Sequence, residues 1–513
     1  MDRRLRRDRA ASRGALLSLQ VGVLLTAACN SSSPRDGEDA STDSTLPRRS
    51  GKHPAESESG PRNDSGLAPA TPPSAAPPEG GPAGALSSPG AFATPPAAPE
   101  TTIRLAFAGD VLPHGHVLDA PVPPLFAALP SWWSGADARI VNLEAPIGDG
   151  TGLEGMALAA PVSWLRDVAE SLHPTALVAA NNHGCDLGPA GVTATYTHAA
   201  ELGIPLVGLA PTTSEKIPSV DLRDSASSPH ADASPPPPPG DPWIPVRIAQ
   251  KSGRTACLIA WTAFLNDAGA DLSNPKVRGC VKGTAGARLA YLPLGPNSVR
   301  AVQRILGSPA RFEGCDARIA YVHAGNEYRP QIDLALDQAR AAAPFVDAIV
   351  FSHPHVPDGI ELVGARSTGA RLVPVFRSLG NFVSNQGAEW TPDETAGIAR
   401  KAGEPDQSRT GWTRVGMLAQ LELHWLPGAD SRYFELRYGF ALQFTDRAGA
   451  TLSPRTLPSG PEDPVAAKLR QGPRTFAGLL DDPCRISAAS GELPCTSRAP
   501  AASQTTNGTT TSP

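Results

Sequence analysis

The chain has 513 residues, a net charge of −5 and 55 prolines. Length alone allows two or three domains, but proline this abundant and this unevenly placed marks a good part of the chain as unable to bury a core. The mildly acidic balance excludes an electrostatic case for nucleic-acid binding, because counterion release needs a concentrated basic face.

In chain order, the first signal is a cluster of arginines, Arg3, Arg4, Arg6, Arg7, Arg9 and Arg13, followed by an apolar run from Ala15 to Ala28. Charge followed by a short apolar run is the pattern of an export signal, and the run is too short for a comfortable membrane span. The small residues Ala27 and Ala28 lead directly into Cys29. This resembles a bacterial lipoprotein signal, which implies lipidation of Cys29, with Thr26 standing where that pattern prefers Leu. Residues 1–29 are therefore expected to be a lipoprotein-type signal peptide, and the protein to be exported and membrane-anchored through lipid, facing the periplasm or cell surface. Residues 30–101 read as a disordered Pro/Ser/Ala-rich linker, since such a stretch cannot bury enough apolar area to offset its ordering entropy.

From Thr102 the pattern changes to short β-branched or apolar runs, each ending in polar residues suited to chemistry. Ile103–Ala108 ends at Gly109 and Asp110, Ala138–Val141 at Asn142-Leu143-Glu144, and Ala176–Ala179 at Asn181-Asn182-His183. Leu206–Leu209 reads as a further strand. A Pro-rich insert at 213–242 follows, and then a hairpin of Val246–Gln250 and Thr255–Trp261. Helices are expected at Ser298–Leu306 and Ile332–Ala343. Between and after them, Arg318–Val322 ends at His323, Ala348–Phe351 leads to His353-Pro354-His355, and Val373–Phe376 precedes Ser378-Leu379-Gly380-Asn381-Phe382. Late strands are expected at Met417–Leu423 and Phe434–Gln443. Strands alternating with helices imply a layered α/β domain over 102–446, and residues 447–513 read as a largely flexible C-terminal extension.

Active groups gather at the carboxyl ends of strands in such folds, because that edge collects loops from distant parts of the chain. The set here is Asp110, Glu144, Asn182, His183, His323, His353 and His355, with Glu327 and Asp186 beside it. Carboxylate, amide and imidazole together suit a borderline divalent ion such as Mn, Fe or Zn better than Ca or Mg, and the lack of paired thiolates disfavours a closed structural zinc site. One or two ions are expected. Of the cysteines other than Cys29, Cys484 and Cys495 close a short loop and form the most plausible disulfide; pairing among Cys185, Cys257, Cys280 and Cys315 stays open, and Cys185 reads equally well as a simply buried thiol.

The ordered blocks Gly109-Asp110, Asn142-Leu143-Glu144, Asn181-Asn182-His183 with Asp186 and Gly188, His323-Ala324-Gly325 with Glu327-Tyr328, His353-Pro354-His355-Val356 and Ser378-Leu379-Gly380-Asn381-Phe382 resemble the CapA family of capsule and poly-γ-glutamate synthesis proteins. That resemblance implies a calcineurin-like metallophosphoesterase fold, a four-layer αββα sandwich with mixed sheets. It further implies that Glu144 bridges, with Asn182, His323 and His353 completing one metal position, and Asp110 and His355 contributing to the other. His183, oriented by Asp186, would act as general acid. Glu327 and Asn381 would contact substrate. Three departures stand out: Leu112 occupies the place of a metal-binding histidine, with His114 and His116 nearby reading as surface loop residues, Ala324 replaces a tryptophan, and Ser352 replaces a histidine.

The function implied is a metal-dependent hydrolase-type site of capsule metabolism, phosphoesterase-like or cleaving γ-glutamyl amides. The alternatives are a non-catalytic anchored component of polymer synthesis or export that binds an acidic polymer, and a degenerate metallophosphatase-like lipoprotein. Capsule-polymer ligase and membrane subunits would be its partners, since no Gly-rich nucleotide loop of the Walker type is present for ATP-driven ligation.

Overall fold

A computed structural model describes residues 101–498, apart from 151–156, 213–239, 267–272, 284–285, 330–332, 365–371, 388–398, 401–403, 406–410, 427–433, 449–450, 459, 461, 472–476 and 487–490. The expected export signal, Cys29, the linker before residue 101 and most of the 213–242 insert lie outside the described residues.

The chain enters as β1 (Thr101–Val111), followed by β2 (Ala138–Leu143), β3 (Ala176–Val178) and β4 (Leu206–Val207). The single strand expected at Leu206–Leu209 is in fact two, because Gly208 takes φ 81 and turns the chain away. The second piece is β5 (Leu209–Pro211), which pairs antiparallel with β8 (Ala287–Leu289). The expected hairpin is β6 (Val246–Lys251) and β7 (Arg254–Thr262). Then come β9 (Ala317–His323), β10 (Ala348–Ser352), β11 (Pro357–Val363), β12 (Val373–Leu379) and the short β13 (Asn381–Val383). A small pair, β14 (Ala399–Arg400) and β15 (Glu404–Pro405), precedes the long β16 (Val415–Trp425) and β17 (Phe434–Ala448). Last are β18 (Thr451–Leu457) and β19 (Cys495–Arg498).

Among the described residues these strands assemble mainly into two mixed sheets. One runs β18-β17-β16-β1-β2-β3-β4, with β13 against β1 and β19 against β17; the other runs β11-β12-β10-β9-β7-β6. Each has a parallel centre: β1 to β4 in the first, and β7, β9, β10 and β12 in the second. Parallel strands need both faces covered, and their residues accordingly read as apolar runs rather than as alternation. In β7, Leu258 and Ala260 enter the core shared with the first sheet, whereas Ile259 and Trp261 enter a second core beneath Val302, Leu306, Ala335 and Ala339 of two outer helices. On the far side of the first sheet, helix Val162–Leu172 buries Trp164, Leu165, Val168 and Leu172, a one-sided set at helical spacing. The result is helix, sheet, sheet, helix, the four-layer α/β arrangement expected.

The two sheets are also joined by a polar link. Tyr321 of β9 is fully buried, and its hydroxyl donates to the carbonyl of Ala108 on β1 at 3.2 Å.

The segment after residue 446, expected to be a largely flexible extension, instead completes the first sheet. β18 pairs with β17 from Leu442–Leu457 to Ala448–Thr451, and β19 pairs with β17 from the other end. Helix Pro464–Leu469 is capped by Asp463, whose Oδ1 accepts from the Val465 and Ala466 amides, and Arg455 donates to the same carboxylate. The Cys484–Cys495 disulfide closes the return to β19. The segment lacks long apolar runs because it borrows its partner: β17 supplies the ladder, so short pieces suffice. The structure also pairs Cys185 with Cys280 and Cys257 with Cys315, which left Cys185 neither free nor merely buried.

Tyr321→Phe should cost about 1–2 kcal/mol of stability, since it removes one buried hydrogen bond and leaves the Ala108 carbonyl short of a donor. Denaturant unfolding checks this; an unchanged midpoint would mean that the link between sheets contributes nothing.

Candidate metal centre

The carboxyl ends of both parallel centres meet at one place, and the polar residues that follow each strand meet there too. β1 delivers Asp110, β2 delivers Asn142 and Glu144, and the turn after β3 delivers Asn181, Asn182 and His183. From the other sheet β9 ends at His323 and β10 at Ser352, followed by His353 and His355. Asn381 arrives because β13 lies directly against β1, with Asp110 opposite Asn381. That approach requires glycine: a Cβ on Gly109 would fall 1.9 Å from the carbonyl oxygen of Gly380. His353 and His355 take φ of 106 and 59, a region that side-chain-bearing residues avoid at a cost of about 1–3 kcal/mol each. Strain of this kind is held in place by the bonds around it, here the His353 amide donating to Asp110 Oδ2 at 3.2 Å.

Glu144 is the most unusual group. It is 0% exposed, and neither carboxylate oxygen has a hydrogen-bond partner among the described residues. Its Oε1 faces His323 Nε2 at 3.4 Å and His355 Nε2 at 3.9 Å. His323 Nε2 also lies 2.7 Å from Asn182 Oδ1, and Ser352 Oγ holds the other ring nitrogen at 2.9 Å. The His353 ring stands 4.8 Å from that of His323, stacks on Phe264, and leaves its buried Nδ1 without a partner among the described residues. On the other side, Asp110 accepts from Asn142 Nδ2 at 2.7 Å and faces His355 Nδ1 at 3.4 Å.

The electrostatics follow from burial and crowding. Burial, then the charge of neighbouring Asp110, pushes the Glu144 carboxyl well above the usual range. Burial would raise Asp110 as well, but the hydrogen bond from His355 and the proximity of His323 and His355 outweigh it and hold this carboxyl well below its ordinary value. Burial drives His323 down to about 3, and burial with the neighbouring imidazoles drives His353 well below its ordinary value, so both rings keep lone pairs. Burial would also lower His355, but its bond to Asp110 outweighs this and raises it.

Three sets of donor atoms lie within 4.8 Å of one another: Glu144, His323 and His353; Asp110, Glu144 and His355; and Glu327, His353 and His355. The residues fit a divalent cation. A buried carboxylate with both oxygens unsatisfied, an imidazole nitrogen without a partner and neutral histidines around them form a cation-shaped deficit of positive charge. Glu144, His353 and His355 each belong to two of the sets, so the three share one cluster. Asn182 joins the first set through His323, whereas the exposed Glu327 sits at the outer rim.

Other expected site residues fall in different places. His183 and Asp186 are paired at 2.6 Å, beside Asn182. Asn381, expected at the substrate, is 3% exposed and has both ends of its amide engaged: Oδ1 accepts from His355, and Nδ2 donates to Gln386 and to the Thr413 carbonyl. It orients His355 instead. Leu112 is 2% exposed and part of the apolar interior. His114 is not a loose surface residue: its Nε2 accepts from the Asn385 amide and meets Ser384 Oγ, and burial, with His355 and His183 nearby, lowers it to about 4. It pins the loop behind β13.

A family model described as bacterial capsule synthesis protein PGA_cap matches residues 104–221 and 244–386. The chain belongs to this capsule synthesis family. Every donor in the three sets lies inside the matched residues, and β16 to β19, which complete the first sheet, lie beyond them. The chain matches no curated protein. Within this PGA_cap domain several site residues carried no distinct sequence signal. Asn142 and Asn181 sit in recognisable strand-end blocks, but nothing in the sequence separates their structural bonds from ligation. Ser352 reads as a lost histidine and proves to hold His323. Phe264 and Asn266 follow β7 without any motif.

Glu144→Gln should stabilise the metal-free PGA_cap domain by roughly 1–3 kcal/mol, because a neutral amide replaces a buried group with no donor. The same change should abolish stabilisation by added Zn²⁺. Melting curves in chelator and in Zn²⁺ check both; a wild-type gain with Zn²⁺ that survives in Glu144→Gln would remove Glu144 from the centre.

Proposed function

We propose that the chain is an exported, lipid-anchored capsule-metabolism protein whose buried centre is a metal-dependent hydrolase site for a phosphoester or a γ-glutamyl amide. The observation that carries this reading is Glu144, fully buried with both oxygens unsatisfied and set between the imidazoles of His323 and His355. Glu144, Asn182, His323 and His353 would hold one divalent ion, and Asp110 and His355 would contribute to a second position. A bound Mn, Fe or Zn ion supplies positive charge that polarises the substrate oxygens and lowers the proton affinity of water.

The chain's own residues account for the remaining chemistry. His183 keeps Nδ1–H on Asp186, which leaves Nε2 as the nitrogen that would serve as acid. Loaded with a proton there, it hands that proton to the departing oxygen or nitrogen as the bond to phosphorus or carbonyl carbon breaks, and Asp186 stabilises the imidazolium. Glu327, exposed at the rim, would meet the substrate. Neutral His323 and His353 keep the pocket from filling with competing positive charge.

Leu112 favours a second reading. It is a buried hydrocarbon at the sequence position where the family resemblance expects a metal-binding histidine, so the Asp110 side would be short of one donor. A centre of this kind would hold one ion firmly and bind an acidic polymer without cleaving it, as a component working with a ligase and membrane subunits.

Export is supported by the arginine-led apolar run before Cys29 and by three disulfides among the described residues, which suit an oxidising compartment. Among the described residues no helix is long and apolar enough to cross a membrane, consistent with attachment by acyl chains.

Purified protein should contain stoichiometric Mn, Fe or Zn and hydrolyse an aryl phosphate or poly-γ-glutamate. Glu144→Gln and His323→Ala should lower that rate by at least about a hundredfold. Bound metal with no turnover of either class would favour the binding reading, and no bound metal would end both. Fatty-acid labelling in cells should be lost in Cys29→Ser; label retained in that variant would remove the lipid anchor.

A further inference from the structure

A primary carboxamide is chemically two-faced, and a ligand asparagine is useful only if its oxygen, not its NH₂, points at the cation. Asn182 has this problem: Oδ1 faces His323 Nε2 at 2.7 Å. Its Nδ2 points the other way and donates to Asn266 Oδ1 at 2.8 Å. The Asn266 backbone amide donates in turn to the Asn182 carbonyl at 3.0 Å, so the two residues are joined at both main chain and side chain. The far end of the Asn266 amide lies against His183, with Nδ2 2.9 Å from Nδ1 and 3.3 Å from Nε2. Nδ1–H stays with Asp186 at 2.6 Å, and the Asn266 NH₂, at similar distances from both ring nitrogens, packs against the ring rather than on the lone pair of either.

The loop carrying Asn266 is itself well held. The Ala263 amide donates to the His323 carbonyl, Thr262 Oγ1 closes the turn on the Phe264 carbonyl, and Leu265 is buried. Phe264 of the same loop stacks on His353 at 4.8 Å. One short stretch after β7 therefore touches Asn182, His183 and His353, although it contributes none of the donors named above.

We propose that Asn266 is a positioning residue for this centre. Its oxygen fixes the Asn182 amide with Oδ1 toward the cation. The proposal rests on the metal-centre reading.

Asn266→Ala removes the acceptor for Asn182 Nδ2, whereas Asn266→Asp keeps it. Calorimetric titration of the full chain with Zn²⁺ alone should show affinity reduced about 10–100-fold in Asn266→Ala and within about threefold of wild type in Asn266→Asp, the scale of effect known for residues that orient metal ligands. Asn266 is exposed, and unchanged melting temperatures would show that neither variant acts through folding. Equal Zn²⁺ affinity in wild type and Asn266→Ala would overturn the proposal. A wild-type chain that binds no Zn²⁺ would instead overturn the metal centre on which it rests.

Discussion

A carboxylate buried without a hydrogen-bond donor is among the most costly things a fold can contain, and Glu144 is in that state at the meeting point of two sheets. The surrounding architecture makes sense as a response to that constraint. Imidazoles face it from strands of the opposite sheet, Asp110 stands behind it, and carboxamides rather than further charges fill the spaces between. Uncharged amides can donate or accept without adding to the repulsion between Glu144 and Asp110, which explains why Asn142, Asn181, Asn182 and Asn381 are concentrated here. Each has at least one end tied to another site residue or to backbone.

The backbone bears part of the cost as well. His353 and His355 both adopt positive φ around Pro354, a Cβ on Gly109 would strike the Gly380 carbonyl, and one on Gly380 would strike Val356 and Pro357. These are local penalties of a few kcal/mol that the sandwich must over-determine. It does so with long ladders: β16 pairs along its length with β17 and with β1, and the C-terminal segment adds β18 and β19 to that side. The region beyond the family match thus buttresses the strand that carries Asp110.

Membership of the capsule synthesis family and the buried donor set point the same way without being the same statement. The family describes a biological setting. The donor set describes what the site is able to do, which is to hold a cation beside a His183–Asp186 pair. Ser352, at the end of β10, holds His323 at 2.9 Å, whereas Leu112 is buried hydrocarbon that offers no donor.

Strand-end placement was legible in the sequence because parallel strands buried on both faces must be apolar runs, so the polar residue ending each run stands out. Asp110, Glu144, His323, His353 and His355 were all visible that way, and the alternation of strands with helices was enough for the layered fold. The disulfides at Cys185–Cys280 and Cys257–Cys315, the folded segment after 446, the split at Gly208 and the roles of Asn381, His114 and Asn266 were not. Each of these depends on which distant segment lies alongside, and a one-dimensional pattern records a residue's own preference rather than its neighbour's. The sequence by itself determined which residues are able to ligate. The tertiary structure alone decided which of them face one another, because that choice is made by the closure of β13 on β1 and by the carboxyl edges of the two stacked sheets converging at Glu144.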